Sequence, residues 1–212
     1  MSMPVDRRSR KRLATRQGIS NIATRLFLER GFDKVTVDEI ATAADVGRMT
    51  VFNHFPRKED MFFDRDEEFR DLLREALRQR DPGVAPIEAL RLLVHRLAEE
   101  QSPFVEFSDA SQGFIETIER SETLKARARA IRDELAQVAA GALSECTGRE
   151  PTDPAAHLAA DLFLATLAVA LIQAHRTYRQ RRDTEEAKAA FLALVDKGSI
   201  GLKASMADTP YA

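Results

Sequence analysis

The segment RMTVFNH contains three hydrogen-bonding side chains and one unbranched apolar side chain that a helix would gather on one side. At about 100° per residue, that side comprises Met49, Thr50, Asn53 and His54. Arg48 lies in the first turn, where its long side chain can extend past the helix end. Hydroxyl, imidazole and guanidinium groups donate to DNA phosphates, amide and guanidinium groups bond to base edges, and a methionine can touch a thymine methyl group. The pattern therefore fits the surface of a DNA major groove. The simpler alternative is a surface helix of a helical bundle, whose outward polar residues need no partner.

Two short helices with a turn between them would position these side chains. Thr36 and Glu39 have the spacing of a capping box, which predicts that the first helix begins at the next residue, Val37. Its apolar stripe has helical spacing and falls on Val37, Ile40, Ala41 and Ala44. A helix of only about two turns is unstable alone, so it needs packing partners.

The turn and the second helix are marked by individual residues. Asp45 occupies the turn, because Asp tolerates turn and left-handed backbone better than most residues. The second helix begins near Gly47 and ends before Pro56, since proline disfavours the α conformation in the residue before it. Its core-facing side chains are Val51, Phe52 and Phe55.

These helices and the sequence before them resemble the TetR family of one-component bacterial transcriptional regulators. The family's first helix and its LF…GF ending match at Ile19, Ile22, Ala23, Leu26, Phe27, Gly31 and Phe32. The family pattern TV..IA..AGV...T.Y.HF..KE then matches in order and spacing at Thr36, Val37, Ile40, Ala41, Ala44, Val46, Thr50, His54, Phe55, Lys58 and Glu59. The resemblance covers about residues 10–62, and the rest of the chain matches only as helical sequence.

The resemblance implies an all-α fold, with an N-terminal three-helix DNA-binding head and a larger C-terminal helical body for ligand binding and dimerisation. Thr50, His54 and Lys58 would then contact phosphates, Lys58 from the start of the next helix. The residues nearest the bases would be Arg48, Met49 and Asn53. Thr36 and Arg12 complete the set of residues predicted to contact DNA.

Three residues depart from the family pattern. The usual Gly of the turn is Asp45, which puts a carboxylate near the DNA; the usual Ser or Thr that opens the second helix is Gly47, which removes a cap. The common Tyr is Phe52, which has no hydroxyl for a phosphate. None of these departures overturns the match, but they leave the operator sequence open. They also lend some weight to the alternative of a helical protein-interaction scaffold whose DNA-binding head is degenerate.

Composition and charge agree with a helical protein that has a basic end. The 212 residues are 44% hydrophobic and 31% charged, and no run of alternating β-branched residues predicts a sheet. The net charge of −2 conceals a split: residues 1–60 carry 12 Lys or Arg against 8 Asp or Glu, and residues 61–212 carry 20 against 26. The candidate DNA-binding part is therefore the basic part, although such a split also arises by chance.

The remaining chemistry favours neither an enzyme nor a metal protein. The single cysteine, Cys146, is more typical of an inert thiol in a reducing cytoplasm than of a redox sensor. His157 and Asp161 could share a helix face as metal ligands, but no third ligand is evident. No catalytic motif, cofactor or metal site is predicted. The N-terminus lacks the apolar segment of a signal peptide, and the most apolar run, Leu158–Ala174, is 17 residues long and short for a bilayer. We therefore expect a cytoplasmic protein with no membrane partner.

The chain is predicted to divide into a flexible basic arm at 1–9, the DNA-binding domain at 10–57, the body at 58–203 and a flexible tail at 204–212. The arm could lie along phosphates or in a minor groove, or be a solvated tail. A helix from about Lys58 to Arg80 would connect head and body. Breaks at Asp81–Gly83, Ser102–Pro103 and Gly148–Pro151 separate the helices that follow.

Two further sites are predicted in the body. An effector cavity could be walled by aromatic and imidazole side chains, which are alternatively ordinary core or surface residues: His95, Phe104, Phe107, Phe114 and His157. The segment from Pro154 to Arg182 is apolar nearly all round its middle, so with the last helix it could form a four-helix dimer interface or lie inside one monomer. The predicted interface residues are Leu162, Leu164, Ala165, Ala168, Val169, Ile172, Phe191, Leu194 and Val195.

Together these features predict a regulator that binds double-stranded DNA as a homodimer and responds to a small-molecule effector, with repression as the family's usual mode.

Overall fold

The computed structural model describes residues 7–212, and within that range the chain contains helices and no strands. The predicted all-α fold is confirmed. The α-helices are α1 (Arg7–Arg30), α2 (Val37–Ala43), α3 (Arg48–His54), α4 (Asp66–Arg78), α5 (Pro86–Glu99), α6 (Asp109–Arg120), α7 (Glu122–Thr147), α8 (Pro154–Arg181) and α9 (Thr184–Ser205). Short 3-10 helices lie at Phe32–Lys34, Glu59–Met61 and Pro103–Val105.

Local sequence explains several of the helix starts. Thr36 and Glu39 form the predicted capping box, so α2 begins at Val37. The side chain of Asp153 accepts a hydrogen bond from the N–H of Ala155, while Pro154 occupies the first position of α8, where a missing N–H costs nothing. The side chain of Asp183 caps α9 in the same way, through the N–H of Glu186.

Two compact units make up the described chain. The head unit contains the chain up to Arg65 together with residues 116–127, which come from the end of α6 and the start of α7. The body unit contains residues 66–115 and 128–212. The head therefore extends past the boundary expected at residue 57 and includes a segment distant in sequence.

An aromatic cluster lies at the centre of the head. The ring of Phe27 lies 4.9 Å from that of Phe32 and 6.0 Å from that of Phe62, measured between centroids. Segment 116–127 is tied to the head by two polar contacts: Ser121 Oγ donates to Asp33 Oδ1 at 3.0 Å, and Arg127 Nε pairs with Asp60 Oδ1 at 3.2 Å. The other buried apolar residues are Ile19, Ala23, Val35, Ile40, Ala41, Val51, Phe55, Met61 and Leu124.

The body is built around α8 and α9, which are antiparallel and joined by a two-residue turn at Arg182 and Asp183. Arg182 has the left-handed conformation (φ 56°) that ends α8. The two helices approach so closely at Gly198 that a Cβ there would lie 2.2 Å from Thr166 Cγ2. A glycine in the middle of α9 is therefore required by packing.

The last residues do not form the predicted tail. Tyr211 is fully buried, its hydroxyl donates to Asp153 Oδ2 at 2.7 Å, and its carbonyl accepts from the N–H of Ile87 at 3.1 Å. Met206 is buried as well. The prediction was wrong because two well-separated apolar residues in a short polar stretch give no periodic signal.

Three other boundaries also differ from those predicted. Residues 7–9, placed in the basic arm, are the start of α1, and the rest of that arm lies outside the described residues. The helix expected from Lys58 to Arg80 is replaced by the 3-10 helix Glu59–Met61, a turn, and then α4. The stretch around Gly113, expected to be irregular, is helical, because α6 continues through it.

The helix α8 is long and apolar enough to cross a membrane by length and composition, with a mean hydropathy of 2.0 in its most apolar 18-residue window. Part of that window, 39%, is buried within the chain itself. The core helix of a globular protein passes the same test, so this property is weak support for a membrane span.

We expect Gly198→Ala to destabilise the body by about 1–3 kcal/mol, because the new methyl group must displace Thr166. Gly201 lies in the same helix, and a Cβ added there would have nothing within 4 Å. Gly201→Ala is therefore the control and should stabilise by about 0.5–1 kcal/mol. Urea unfolding of both variants measures the difference. Equal effects of the two substitutions would contradict the close approach of α8 and α9.

Candidate nucleic-acid interface

The helices α2 and α3 form the predicted helix-turn-helix. Asp45 lies in the turn with a positive φ of 51°, as expected for a residue that replaces glycine there. Gly47 precedes α3 in an extended conformation and provides no side-chain cap. Phe55 ends α3 immediately before Pro56.

One long side chain of α1 holds the C-terminal end of α3. Arg16 Nη1 donates to the carbonyl oxygen of His54 at 2.5 Å, and its guanidinium carbon lies 4.1 Å from the centroid of the Phe55 ring. A cation at a helix C-terminus is favoured by the helix dipole. Together with the complete burial of Val51 and Phe55, this contact fixes the orientation of α3 on α1.

The opposite side of α3 faces solvent. Met49 is 70% exposed, which is high for a large apolar side chain, and Arg48 and Asn53 are also exposed. Thr50 and His54 lie at the edge of this face and are partly buried. Three of the five predicted helix residues are therefore exposed in the structure, and the other two are partly buried. Phe52, predicted as core, is only partly buried.

The imidazole of His54 has a pKa below its usual 6.5, because burial and then the charges of Arg12 and Arg16 disfavour its protonated form. His54 is therefore largely neutral at pH 7. At that pH a contact from His54 to a phosphate would be a hydrogen bond from a neutral ring. The positive charge near His54 comes from Arg12 and Arg16.

Thr36 is engaged in the fold. Its Oγ1 accepts from the N–H of Glu39 at 3.2 Å and donates to Glu39 Oε2 at 2.9 Å. The hydrogen bond from the backbone of Thr36, followed by that from Arg30, lowers the pKa of the Glu39 carboxyl to about 2. The capping box is thus charged at neutral pH, and Thr36 has a structural role beside the DNA contact predicted for it.

Lys58, which was predicted to contact a phosphate, instead contacts another residue of the head. Its Nζ donates to the carbonyl oxygen of Phe32 at 2.6 Å and lies 4.1 Å from the centroid of the Phe32 ring. Burial lowers the pKa of Lys58, although the nearby charge of Asp33 opposes the shift. The side chain is therefore directed into the head, and sequence spacing alone could not reveal its direction.

The beginning of α1 is a basic helix. Between Arg7 and Arg16 there are six basic residues and no acidic residue, and all but Arg16 are exposed. They are Arg7, Arg8, Arg10, Lys11, Arg12 and Arg16. Cations in the first turn oppose the helix dipole, so an anionic partner would stabilise this helix. Arg12 lies close enough to affect the pKa of His54, which joins the basic helix to the exposed face of α3.

Sequence reasoning missed one residue beside this face, Asp38 in the first turn of α2. Arg48 Nη1 donates to Asp38 Oδ1 at 3.0 Å and to Oδ2 at 2.8 Å. An acidic residue in a first turn is common because it favours the helix dipole, so its type gave no signal of this contact.

The five residues predicted to bind an effector lie in different environments of the body. His95 pairs with Asp196, and His157 bonds to the carbonyl oxygen of Pro151. Phe104 packs on Phe69, Phe107 is buried against His175 and Phe191, and Phe114 is partly buried in α6. A cleft of about 700 Å³ lies elsewhere, between α4 and α7, and is lined by residues that include Arg74, Arg78, Arg80, Glu145 and Cys146.

Comparison with known proteins places the strongest similarity on the head. Residues 19–64 match the family model described as bacterial regulatory proteins, tetR family. The uncharacterized HTH-type transcriptional regulator YhgD of Bacillus subtilis is 35% identical over 78 residues, which are 37% of this chain and 39% of that protein. The HTH-type transcriptional regulator TcmR of Streptomyces glaucescens is 34% identical over 83 residues, 39% of this chain and 37% of that protein. The matched part thus spans less than two fifths of each of these relatives.

The fold as a whole also has a solved counterpart. NalD, the secondary repressor of the MexAB-OprM multidrug efflux pump in Pseudomonas aeruginosa, superposes with a TM-score of 0.53 and 21% identity. The superposition covers 89% of this chain and 97% of NalD. At this identity the likeness establishes the arrangement of helices and leaves ligands and target genes open.

Two roles for Lys58 make opposite predictions. From its contacts we expect Lys58→Ala to destabilise the protein by about 1–2 kcal/mol, because a charge-assisted hydrogen bond and a cation–π contact are lost. Arg57→Ala, at the exposed neighbouring position, should change stability little. Thermal unfolding of both variants measures this effect. The phosphate role would be supported instead by two results together: Lys58→Ala unfolds at the same temperature as the wild type, and the slope of log affinity for DNA against log salt falls by about 1.

Proposed function

Because the chain belongs to the TetR family of bacterial transcriptional regulators, we propose that it acts in the cytoplasm as a homodimeric repressor of a pseudo-palindromic operator and is released by a small-molecule effector. The exposed face of α3 is the observation that carries this proposal. A large apolar side chain, an amide and a guanidinium are exposed on one short helix that packs beside the basic α1, and these are groups that read base edges in a major groove.

The basic start of α1 supports binding to the DNA backbone. Its exposed cations would release counterions from phosphates, which supplies affinity that does not depend on sequence. The described part of α1 is helical from Arg7, so we assign these cations to phosphates flanking the half-site in place of an extended minor-groove arm. Arg12 and Arg16 lie closest to α3 within this set.

An exposed apolar stripe on α8 supports the dimer. Residues 158, 162, 165, 169 and 172 follow steps of four and three, which is the spacing of a helix–helix seam. Val169 is 58% exposed and Ile172 is 54% exposed, and on α9 Ile200 is 72% exposed. A second copy related by a two-fold axis would bury the same stripe on both chains, as in a four-helix interface.

The predicted interface set needs correction on this basis. Leu164, Phe191 and Val195 are buried inside the monomer, at 5%, 1% and 0% exposure, so they form its core and cannot face a partner. Leu158 and Ile200 belong to the exposed surface and were absent from the prediction. Of the other predicted residues, Leu162, Ala165, Val169 and Ile172 are exposed, and Ala168 and Leu194 are partly buried.

The effector is proposed to bind the body, by analogy with the family. It must bind the conformation of low DNA affinity more tightly than the operator-bound conformation, or the equilibrium does not move. The cleft between α4 and α7 is one place to search for a ligand, beside the five residues predicted from the sequence. Repression, in preference to activation, follows the description of NalD as a repressor.

Selection of bound duplexes from a random library tests the proposal. We expect the wild-type chain to enrich an inverted repeat. Asn53→Ala should lose discrimination at one base pair of each half-site, by about 1–3 kcal/mol, because an amide can pair bidentately with adenine. Recovery of no common sequence would reject the proposal in favour of a scaffold with a degenerate head, and an unchanged motif with Asn53→Ala would reject the assignment of this residue.

The proposed dimer is tested by Val169→Glu, which would place two carboxylates close together across the two-fold axis. We expect the dissociation constant of the dimer to rise by about 100-fold or more, since facing like charges cost several kcal/mol. Leu92→Glu is the control, because Leu92 is 44% exposed on α5, outside the stripe. Sedimentation equilibrium should give the chain mass of 23.7 kDa for Val169→Glu and twice that mass for the control. A monomeric wild type, or a dimeric Val169→Glu, would contradict the interface.

A further inference from the structure

The ion pair between Arg48 and Asp38 lies on the surface proposed to enter the major groove. Nη1 of Arg48 reaches both carboxylate oxygens of Asp38, at 3.0 and 2.8 Å, and both side chains are more than half exposed. The pair connects the first turn of α2 to the first turn of α3. First-turn residues of a recognition helix are the ones that meet base edges in helix-turn-helix complexes.

A second contact restrains the same guanidinium. Its central carbon lies 5.5 Å from the centroid of the Phe52 ring, one turn further along α3. Cations are attracted to the face of an aromatic ring at this distance. The Asp38 carboxylate and the Phe52 ring therefore both restrain Arg48. Phe52 can do this as well as the tyrosine that is common at this position in the family.

The pair leaves part of the guanidinium available. Within residues 7–212, the hydrogen bonds formed by Arg48 all run through Nη1, so Nη2 and Nε remain as a parallel pair of donors. Guanine presents two acceptors, O6 and N7, in the major groove, and arginine bonds to both at once. Adenine presents a donor in place of O6, so the same donors would meet an N–H group there.

The helix dipole accounts for a carboxylate in the first turn of α2, but fold stability does not account for its contact with Arg48. Exposed ion pairs add little to stability, because solvent screens them and two long side chains lose freedom. An acidic group on a DNA-facing surface also repels phosphates and lowers affinity for every sequence. The contact with Arg48 is therefore best explained by orientation, because a fixed arginine loses less rotational freedom when it binds a base.

We propose that Asp38 is a positioning residue that fixes Arg48 to recognise one guanine in each half-site. This inference rests on the proposed function, since it names the base that the recognition helix reads. It also explains how a surface with Gly47 in place of the usual capping residue holds its first-turn side chain in a single orientation.

Asp45 offers a matched control. It is an exposed carboxylate in the adjacent turn of the same helix-turn-helix, and asparagine tolerates its positive φ of 51°. Asp45→Asn and Asp38→Asn thus remove the same charge from the same region, but only Asp38 contacts Arg48. Any difference in base preference between these variants reports the contact and not the charge.

The experiment uses the duplex selected by the wild-type full-length protein and a second duplex in which the guanine nearest Arg48 is replaced by adenine. Fluorescence anisotropy should show that the wild type prefers guanine by about 10-fold or more. Asp38→Asn should reduce this preference by about fivefold or more at that position alone, and Asp45→Asn should retain it. Arg48→Lys, which keeps the charge but loses the paired donors, should abolish it, and Asp38→Asn should then have no further effect. Matching thermal unfolding curves establish that each variant is folded.

Distinct outcomes separate the two proposals. Failure of the wild type to select any sequence would reject the proposed function. If a sequence is selected but Asp38→Asn keeps the full guanine preference, or if both Asn variants raise affinity equally for all duplexes, Asp38 acts only through its charge and the inference is overturned. Retention of the preference by Arg48→Lys would overturn it as well, and that test remains informative even if Asp38→Asn does not fold.

Discussion

The helices α2 and α3 have only seven residues each, and everything proposed for this protein depends on how such short helices are held in place. Isolated helices of this length do not form in water. The sequence compensates at both ends: a charged capping box starts α2, and Arg16 of α1 closes the end of α3 while packing on Phe55. Val51 buries the inner face of α3, so exposed side chains such as Met49 are not needed for packing of the head.

In both units, one side of a helix packs in the core and the other side is exposed. On α3, Met49 and Asn53 are exposed, and Arg16 of α1 contacts His54 and Phe55 at the end of the same helix. On the body, α8 and α9 combine a tight internal contact at Gly198 with an external stripe around Val169. Each exposed surface suits the partner proposed for it: phosphate and base edges for the first, and a second apolar helix pair for the second.

Features governed by short-range rules were predictable from the sequence. The capping box, the turn at Asp45 and the end of α3 before Pro56 each depend on a few adjacent residues, and the structure reproduces them. The all-α fold and the match of residues 19–64 to the tetR family model likewise followed from periodicity and a specific motif.

Features that depend on distant partners were not predictable. Lys58 bonds to Phe32 and Tyr211 bonds to Asp153, and in both pairs the partner is far away in sequence. The apolar composition of α8 and α9 also gave no means of telling Leu164 or Phe191 in the monomer core from Val169 on its surface, since a helix apolar on most sides has no unique inward face. The set of residues predicted to bind DNA stays a prediction: Arg48, Met49 and Asn53 are exposed, whereas Lys58 is directed into the head.

The most direct measurement of the central claim is fluorescence anisotropy of the full-length protein across a salt series, on duplex DNA from immediately upstream of its own gene and on a scrambled duplex. The exposed face of α3 and the basic start of α1 predict tight binding to the first duplex, weaker binding to the second, and a steep loss of affinity for both as salt rises. Equal and weak binding to both duplexes, persisting with sequences taken from a random library, would contradict the claim that this surface reads DNA.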